Sequence, residues 1–157
     1  METQKNNFEL GSALQAEITL TGNSWIMPAN SGFYNHEGAF DKFGYIDWRQ
    51  GKRSYQVGDI IYLYCTKPIS KVRFMALLEQ KDMSFSETTD DREFWTNPTE
   101  YGKDQTQTYI RLRLLKKKDS EDLSLEALKD NGLRGVPQGA MRVKKLLDDY
   151  LKQKFAE

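Results

Sequence analysis

The sequence predicts an α+β fold, most simply a curved or barrel-like β-sheet with helices at its rim. Three observations support this prediction: short apolar strands fill the middle of the chain, turn residues separate them, and an amphipathic helical pattern ends the chain. The chain has 157 residues, which suffice for one hydrophobic core but fall short of two independent domains. We therefore expect residues 1–157 to form a single domain.

The first third of the chain contains short elements only. Two candidate strands, AEITLT (residues 16–21) and SWIMPA (residues 24–29), are separated by the turn signal Gly22-Asn23. Residues 30–44 mix glycines with aromatic side chains, and HEGAFDKF within them can form two helical turns that Gly44 would end. This part of the sequence predicts two strands and then an ordered loop with a short helix.

Two neighbouring apolar runs predict the central part of the core. Val57-Gly58-Asp59 is a turn signal, and IIYLYCT (residues 60–66) follows it with the β-branched and aromatic content of a strand. KVRFMALLEQ (residues 71–80) comes after the break at Lys67-Pro68 and predicts a second strand. We expect these two strands to pair with each other.

A long polar stretch precedes one more strand. Residues 84–107 are rich in Ser, Thr, Asp and Glu and are apolar mainly at Phe94-Trp95. An excursion of this length in a compact domain is usually functional or mobile. TYIRLRLL (residues 108–115) then alternates polar and apolar side chains, which predicts a strand with one buried face.

The C-terminal part predicts two helices. Ser124 can cap a helix over residues 125–131, and Gly132 follows where a left-handed residue is favoured. GAMRVKKLLDDYLKQKF (residues 139–155) spaces its apolar side chains at helical intervals. This pattern predicts an amphipathic helix that packs on the sheet.

The sequence carries no signal for export or for a membrane. No run approaches the roughly 20 apolar residues of a membrane helix, and METQKNNFEL lacks the pattern of a signal peptide. We therefore expect a cytoplasmic protein with no membrane partner. Cys65 is the single cysteine, and its place in IYLYCT indicates a small buried hydrophobe rather than a reactive nucleophile. Nothing in the spacing supports a catalytic pair with His36, the single histidine.

Motifs of the common enzyme classes are absent from the sequence. It contains no glycine-rich nucleotide motif, no phosphate loop, no Gly-x-Ser-x-Gly and no metal-ligand spacing. Asp47 has Arg49 nearby, which favours its ionised form, and Asp90-Asp91 lies in the polar stretch, where no core element positions it. We therefore expect a protein that is not an enzyme and that uses no cofactor and no metal.

Charge is balanced overall but uneven along the chain. The 23 basic and 23 acidic residues cancel, which argues against a protein that coats nucleic acid nonspecifically. Residues 111–118 are nevertheless basic without any acid, and residues 134–154 carry six basic residues against two acidic ones. These tracts form a positive patch if they share one face, or else they are the solvated faces of a strand and a helix. The sequence leaves both interpretations open.

Aromatic residues lie beside hydrogen-bonding side chains in several predicted loops and strands. The aromatic set is Trp25, Tyr45, Trp48, Tyr62, Tyr64 and Trp95, and the polar set is Asn30, Asp47, Arg49 and Gln50. Recognition of a nucleobase requires aromatic faces for stacking and polar groups for its edge. Tyr62 and Tyr64 share one face of their strand, which could look into a pocket, and Asp47-Trp48-Arg49 could form a ledge beside that strand. Tryptophans next to strands are also common core residues, so a purely structural role stays open.

The order of these motifs resembles the EVE domain, a member of the PUA-like superfamily. The motifs in chain order are SWIMPAN, YIDWRQ, VGDIIYLYCTKP, YIRLRLL, LSLEALKDNGL and GVPQGAMRVKKLLDDYL. The similarity covers roughly residues 24–155. Residues 57–64 carry most of it, and the helix start at Gln138-Gly139 with Arg142 carries the next part.

The resemblance implies a concave pocket that holds a single modified base of DNA or RNA. It also implies partner proteins of a nucleic-acid-processing system, because many bacterial relatives accompany restriction nucleases or other defence systems. Carried over by position, residues 25–30 and 45–49 form the pocket wall, with Gln138 and Arg142 at its rim. Pro28-Ala29-Asn30 departs from the family's usual Lys-x-Glu-Pro-like end of the first strand.

A reader of this kind is expected to stack the base on Trp48 or Trp95 and to hold its polar edge with Asn30 or Asp47. The predicted base-pocket residues are Trp25, Asn30, Tyr45, Asp47, Trp48, Arg49, Tyr64 and Trp95. The predicted phosphate-binding and rim residues are Arg111, Arg113, Gln138, Arg142, Lys144 and Lys145. Two alternatives remain: an RNA-binding PUA-like module with a shallower pocket, and an interaction or regulatory domain that binds no nucleic acid.

Overall fold

The computed structural model describes residues 18–157, which form one mixed β-sheet with helices on both of its faces. The strands are β1 (Ser24–Ala29), β2 (Tyr45–Arg49), β3 (Ile60–Cys65), β4 (Lys71–Met83), β5 (Tyr109–Lys117) and β6 (Met141–Arg142). The α-helices are α1 (His36–Phe43), α2 (Leu125–Lys129) and α3 (Lys145–Ala156). Short 3-10 turns lie at Phe85–Glu87, Arg92–Phe94, Pro98–Glu100 and Glu121–Leu123. Within residues 18–157, no helix has both the length and the apolar content that would let it cross a membrane.

The strand order across the sheet is β2-β5-β4-β3-β1-β6. β1 and β3 run parallel, and every other neighbouring pair is antiparallel. Two predictions are confirmed: the fold is α+β, and β3 pairs with β4.

Both faces of the central strand β3 are buried, which explains its continuous apolar sequence. We call the side that carries Ile61, Leu63 and Cys65 the front face; it packs with α1 and the loops around it. We call the side that carries Tyr62 and Tyr64 the back face; it packs against α2 and α3. The expected alternation of this strand is therefore present, and Cys65 is buried as expected.

The turn before β3 is held by one buried carboxylate. Gly58 has φ +101, and a Cβ at this position would lie 2.2 Å from the carbonyl oxygen of Thr19, so glycine is required. Asp59 is fully buried and accepts hydrogen bonds from the Thr21 hydroxyl (2.6 Å), the Trp25 indole (2.8 Å) and the amide of Gln56 (2.9 Å). Trp25 is thereby fixed in the core.

The structure corrects two strand predictions. Residues 18–21 form no strand, and residues 16–17 of the predicted AEITLT strand lie outside the described residues. Residues 45–49 form β2, which pairs with β5 at the far edge of the sheet from β1. Asp47-Trp48-Arg49 is therefore no ledge beside β3, because β5 and β4 lie between the two.

The C-terminal helix is shorter than predicted. It begins at Lys145 rather than at residue 139, because Met141 and Arg142 pair with β1 as strand β6. The amide of Val143 continues this pairing with a hydrogen bond to the carbonyl oxygen of Ser24 (2.9 Å). Backbone hydrogen bonds to the free edge of β1 thus outweigh the helical propensity of this segment. α2 matches its prediction more closely: Ser124 caps it, and Gly132 has φ +106.

Candidate functional site

Two tryptophans with parallel rings define a small cavity beyond β2. Trp48 lies on β2, and Trp95 follows the 3-10 turn at Arg92–Phe94. Their ring centroids are 6.1 Å apart and their planes are parallel to within 9°. The Tyr34 ring packs edge-on against both, with centroid distances of 5.0 Å to Trp48 and 5.2 Å to Trp95. The two indoles are therefore held in a fixed mutual orientation.

We call this cavity the aromatic pocket. Its volume of about 130 Å³ is close to that of about 150 Å³ for a protein cavity that binds benzene, so it can admit an aromatic ring of a base. Its aromatic lining consists of Trp48, Phe85, Trp95, Tyr101 and Tyr109. Its other lining residues are Asp47, Arg49, Thr88, Thr89, Asp91, Glu100, Gly102 and Lys103.

A buried ion pair ties the long segment after β4 to the sheet. Arg111 on β5 donates two hydrogen bonds to Asp47 on β2, at 2.7 Å from Nε and 3.0 Å from a terminal nitrogen. The backbone amide of Thr89 donates a third hydrogen bond to Asp47 (2.9 Å). These contacts with Asp47 raise the pKa of the Arg111 guanidinium further. The negative charge of Asp47 is therefore balanced by Arg111, and Asp47 anchors one wall of the aromatic pocket.

Asp91 connects the remaining walls. Its carboxylate accepts hydrogen bonds from the Tyr34 hydroxyl (2.6 Å) and from the Trp95 indole (3.1 Å). Burial raises the pKa of Asp91, the two hydrogen bonds pull it down, and the charge of Asp47 raises it again. Asp91 thus sets the orientation of Trp95 while it also lines the pocket.

His36 lies behind the pocket at the start of α1. Its ring contacts Tyr34 and Trp48, with centroid distances of 4.9 Å and 5.0 Å. Neither ring nitrogen has a hydrogen-bond partner of good geometry among the described residues. Burial lowers the pKa of His36 to about 4, and the nearby backbone of Tyr34 opposes this only in part. The imidazole is therefore neutral at pH 7 and acts as a packing surface for Trp48.

The structure brings four of the predicted base-pocket residues together and separates the other four. Asp47, Trp48, Arg49 and Trp95 line the aromatic pocket. The other four do not line it. Trp25 is bonded to Asp59, and Tyr64 belongs to the core of the back face. The exposed Asn30 accepts a hydrogen bond from the Gly32 amide, and the Tyr45 ring lies under Arg111 and Arg113.

The predicted phosphate-binding residues fall into two groups. Arg111 and Arg113 on β5 form bidentate ion pairs with the buried carboxylates of Asp47 and Glu79. The other four, Gln138, Arg142, Lys144 and Lys145, lie on or next to β6 and at the start of α3. Arg142 lies over the Trp25 ring at 4.9 Å, and Lys145 pairs with Asp149 on its own helix. Arg111 and Arg113 therefore lie apart from the other four predicted residues, although the two basic tracts meet where Lys118 donates a hydrogen bond to the carbonyl oxygen of Lys154 (2.7 Å).

Several pocket residues have no counterpart in the sequence-based prediction. They are Phe85, Thr88, Thr89, Asp91, Glu100, Tyr101, Gly102, Lys103 and Tyr109. All but Tyr109 belong to the polar stretch over residues 84–107, whose length predicts a functional or a mobile segment. Its repeated aromatic residues were the available signal.

Comparison with known proteins relates the fold to two domain types. No protein-family model matches the chain, and no curated protein matches it. ASCH from Zymomonas mobilis is 15% identical with a TM-score of 0.57, over 83% of this chain and 94% of that one. A protein from Pseudomonas putida is 13% identical with a TM-score of 0.55, over 83% and 97%. The Pho92 YTH domain in complex with m6A is 12% identical with a TM-score of 0.57, over 89% and 88%. The chain therefore shares its α+β fold with ASCH and YTH domains.

Proposed function

We propose that this protein is a nucleic-acid-binding reader that holds a modified base in the aromatic pocket. The observation that carries the proposal is the pair of parallel indoles, Trp48 and Trp95, at a cavity of about 130 Å³. Stacking on aromatic side chains is the main way in which proteins hold an unpaired base. A methyl group on the base adds apolar contact with the surrounding rings.

Two further observations favour nucleic acid as the partner. The fold is similar to a YTH domain whose structure contains m6A, a methylated nucleoside. Arg49 and Lys103 line the pocket, where they can contact the phosphates that flank an inserted base. Arg111 and Arg113 are less suited to this role, because each is engaged by a buried carboxylate.

We also propose that the chain is an EVE domain within the PUA-like group and acts with partner proteins of a nucleic-acid-processing system. The motif order given above supports this assignment, in particular residues 57–64, which form the Gly58 turn and strand β3. Modified DNA and modified RNA are both candidate ligands of such a domain.

We further propose that the protein acts by binding rather than by catalysis. Burial raises the pKa of the Cys65 thiol to about 11 and lowers the pKa of His36 to about 4. A thiolate–imidazolium pair is disfavoured by both values. Within residues 18–157, no group of three His, Cys, Asp or Glu side chains is arranged to hold a metal ion.

A binding panel tests the proposed function. Fluorescence anisotropy at fixed salt would compare oligonucleotides of one sequence, as DNA and as RNA, that carry either an unmodified base or one methylated base. We expect selective binding of at least one modified oligonucleotide. Trp95→Ala should weaken it about 5-fold or more, because base stacking contributes about 1–3 kcal/mol. Tyr150→Ala on α3 removes an aromatic ring outside the pocket and should leave affinity unchanged.

Three outcomes would contradict the reader proposal. Equal affinity for every oligonucleotide would indicate a protein that binds nucleic acid without selecting a modified base. Binding to RNA but not to DNA, with the same affinity for modified and unmodified RNA, would favour the RNA-binding module. The absence of binding to any oligonucleotide would favour an interaction domain. Full affinity in Trp95→Ala would show that the base does not enter the aromatic pocket.

A further inference from the structure

The aromatic pocket contains a buried carboxylate that no cation of the described chain neutralises. Asp91 is 7% exposed, lines the pocket, and forms no ion pair with any residue of the range 18–157. Its two hydrogen-bond donors, the Tyr34 hydroxyl and the Trp95 indole, are neutral groups. An ionised carboxylate can accept about four hydrogen bonds, so Asp91 has acceptor capacity left for a ligand.

The other two acidic residues of the pocket differ from Asp91 in this respect. Asp47 is neutralised by the bidentate contact with Arg111. Glu100 pairs with Lys103 at 3.3 Å and is half exposed to solvent. Arg49 and Lys103 also line the pocket, but both are exposed to solvent. Asp91 is therefore the buried carboxylate of this cavity that has no cationic partner within residues 18–157. A buried charge of this kind is costly unless a partner of opposite sign approaches it.

The rings around Asp91 favour the same sign of charge in a ligand. Five aromatic side chains line the pocket, and the face of each ring carries negative potential that attracts cations. Carboxylate and ring faces together form an environment that stabilises a positive charge. On the basis of the proposed function, we infer that this pocket binds a methylated nucleobase with a formal positive charge on its ring, in preference to a neutral methylated base.

The shape of the pocket favours a flat cation over a compact one. Trp48 and Trp95 are parallel to within 9°, so they present two faces of the same orientation to a planar ring. A trimethylammonium group is roughly spherical and is best surrounded by rings at steep angles to each other. Bases methylated on a ring nitrogen, such as 1-methyladenine and 3-methylcytosine, combine the planar shape with the positive charge.

The arrangement also separates the two kinds of charge on a nucleotide. The cationic ring would stack on the indoles with its charged edge toward Asp91, and the phosphates would remain outside near the exposed Arg49. Asp91 would select for the positive charge of the base, while Trp48 and Trp95 would select for its flat shape by stacking. A neutral base would leave the charge of Asp91 unpaired in the filled pocket, which lowers its affinity.

Isomeric bases provide a matched test of this inference. 1-Methyladenine and N6-methyladenine have the same atoms but differ in charge at neutral pH, and so do 3-methylcytosine and 5-methylcytosine. Short oligonucleotides that carry one such base in the same sequence would be compared by isothermal titration calorimetry with the wild-type chain and with Asp91→Asn. The substitution keeps the size of the side chain and removes its charge. Thermal unfolding of Asp91→Asn would establish that the variant is folded.

The expected result is that the cationic isomer of each pair binds about 10-fold more tightly to the wild type. Asp91→Asn should reduce the ratio of the two affinities to near one, chiefly because its affinity for the cationic isomer is lower. Equal affinity of the isomers, or a preference for the neutral one, in the wild-type chain would overturn the inference and leave the reader proposal standing. Absence of binding to all four bases would contradict the proposed function itself. Tighter binding of a trimethyllysine peptide than of any oligonucleotide would overturn the assignment to a base.

Discussion

Acid is expected to destabilise the domain through a single buried residue, His36. This side chain is 3% exposed and packs between Tyr34 and Trp48. Its pKa is about 4 in the folded chain and 6.5 in the unfolded chain. As the pH falls below 6.5, the unfolded state takes up a proton that the folded state refuses, so the free energy of unfolding decreases. The loss continues until the pH reaches about 4 and is complete below it.

The size of this effect follows from the two pKa values. One pKa unit corresponds to about 1.4 kcal/mol, so the complete loss is about 3 kcal/mol, and about 2 kcal/mol of it is reached at pH 5. For a domain whose total stability is about 5–15 kcal/mol, this is a large fraction. Burial raises the pKa of Tyr34, so this neighbour stays neutral throughout the range and does not contribute.

His36→Phe is the matched variant, because it keeps a ring of similar shape that does not titrate. Urea denaturation followed by tryptophan fluorescence would give the free energy of unfolding of both proteins between pH 7.5 and pH 5. We expect the wild type to lose about 2 kcal/mol more than the variant over this interval. The carboxylates titrate in both proteins, so their contribution cancels in the difference. A difference that stays constant with pH would show that His36 is not buried as the structure has it, and the reasoning would be refuted.

Two further predictions concern the ion pair and the back face. Arg111→Met should destabilise the fold by about 3 kcal/mol, because the buried carboxylate of Asp47 loses its counter-ion; the added substitution Asp47→Asn should recover part of this loss. Thermal unfolding of the single and double variants measures both effects, and a loss below about 1 kcal/mol in the single variant would contradict the structural role of the pair. Leu151→Ala on α3 should cost about 2–5 kcal/mol by opening a cavity in the core of the back face. The same variant, at a temperature where it is folded, should bind oligonucleotides like the wild type, and weakened binding would show that the two faces are coupled.

The strands of the core could be predicted from sequence because their signals are local. β3 is rich in β-branched and aromatic residues, β1 and β4 contain apolar runs, and turn or break residues precede each of the three. β2 contains Tyr, Ile and Trp but has only five residues, and β6 carries no such signal. β2 is a short, half-polar edge strand, and β6 consists of two residues at the start of a helical pattern. Both exist because a neighbouring strand offers free backbone hydrogen-bonding groups, which is a property of the fold rather than of the segment.

The same distinction explains which site residues could be predicted. Trp48 and Trp95 stand out in the sequence by their type. Asp91 does not, because its role depends on Tyr34, which lies 57 residues away in sequence. Arg111 was expected to contact phosphate, but β2 and β5 pair so that Asp47 lies directly opposite it. The sequence alone does not show that a basic side chain forms an ion pair with a carboxylate from a distant segment.

The spacing of the two indoles has a kinetic consequence. A flat ring in contact with both faces needs planes about 7 Å apart, because each carbon–carbon contact takes about 3.5 Å. The centroids of Trp48 and Trp95 are 6.1 Å apart, and parallel planes lie no farther apart than their centroids, so entry between them requires an opening of at least about 1 Å. Trp48 is part of the sheet, whereas Trp95 lies in the long connection between β4 and β5. Trp95 pairs with Tyr34 through backbone hydrogen bonds from the Asn35 amide to the Phe94 carbonyl oxygen (2.8 Å) and from the Thr96 amide to the Phe33 carbonyl oxygen (2.9 Å), so an opening must break this pairing or move both segments together. If one molecule in ten is open at any moment, the measured affinity is about tenfold weaker than that of the open pocket. Substitutions in the connection could then change both the affinity and the association rate of a ligand that they never touch.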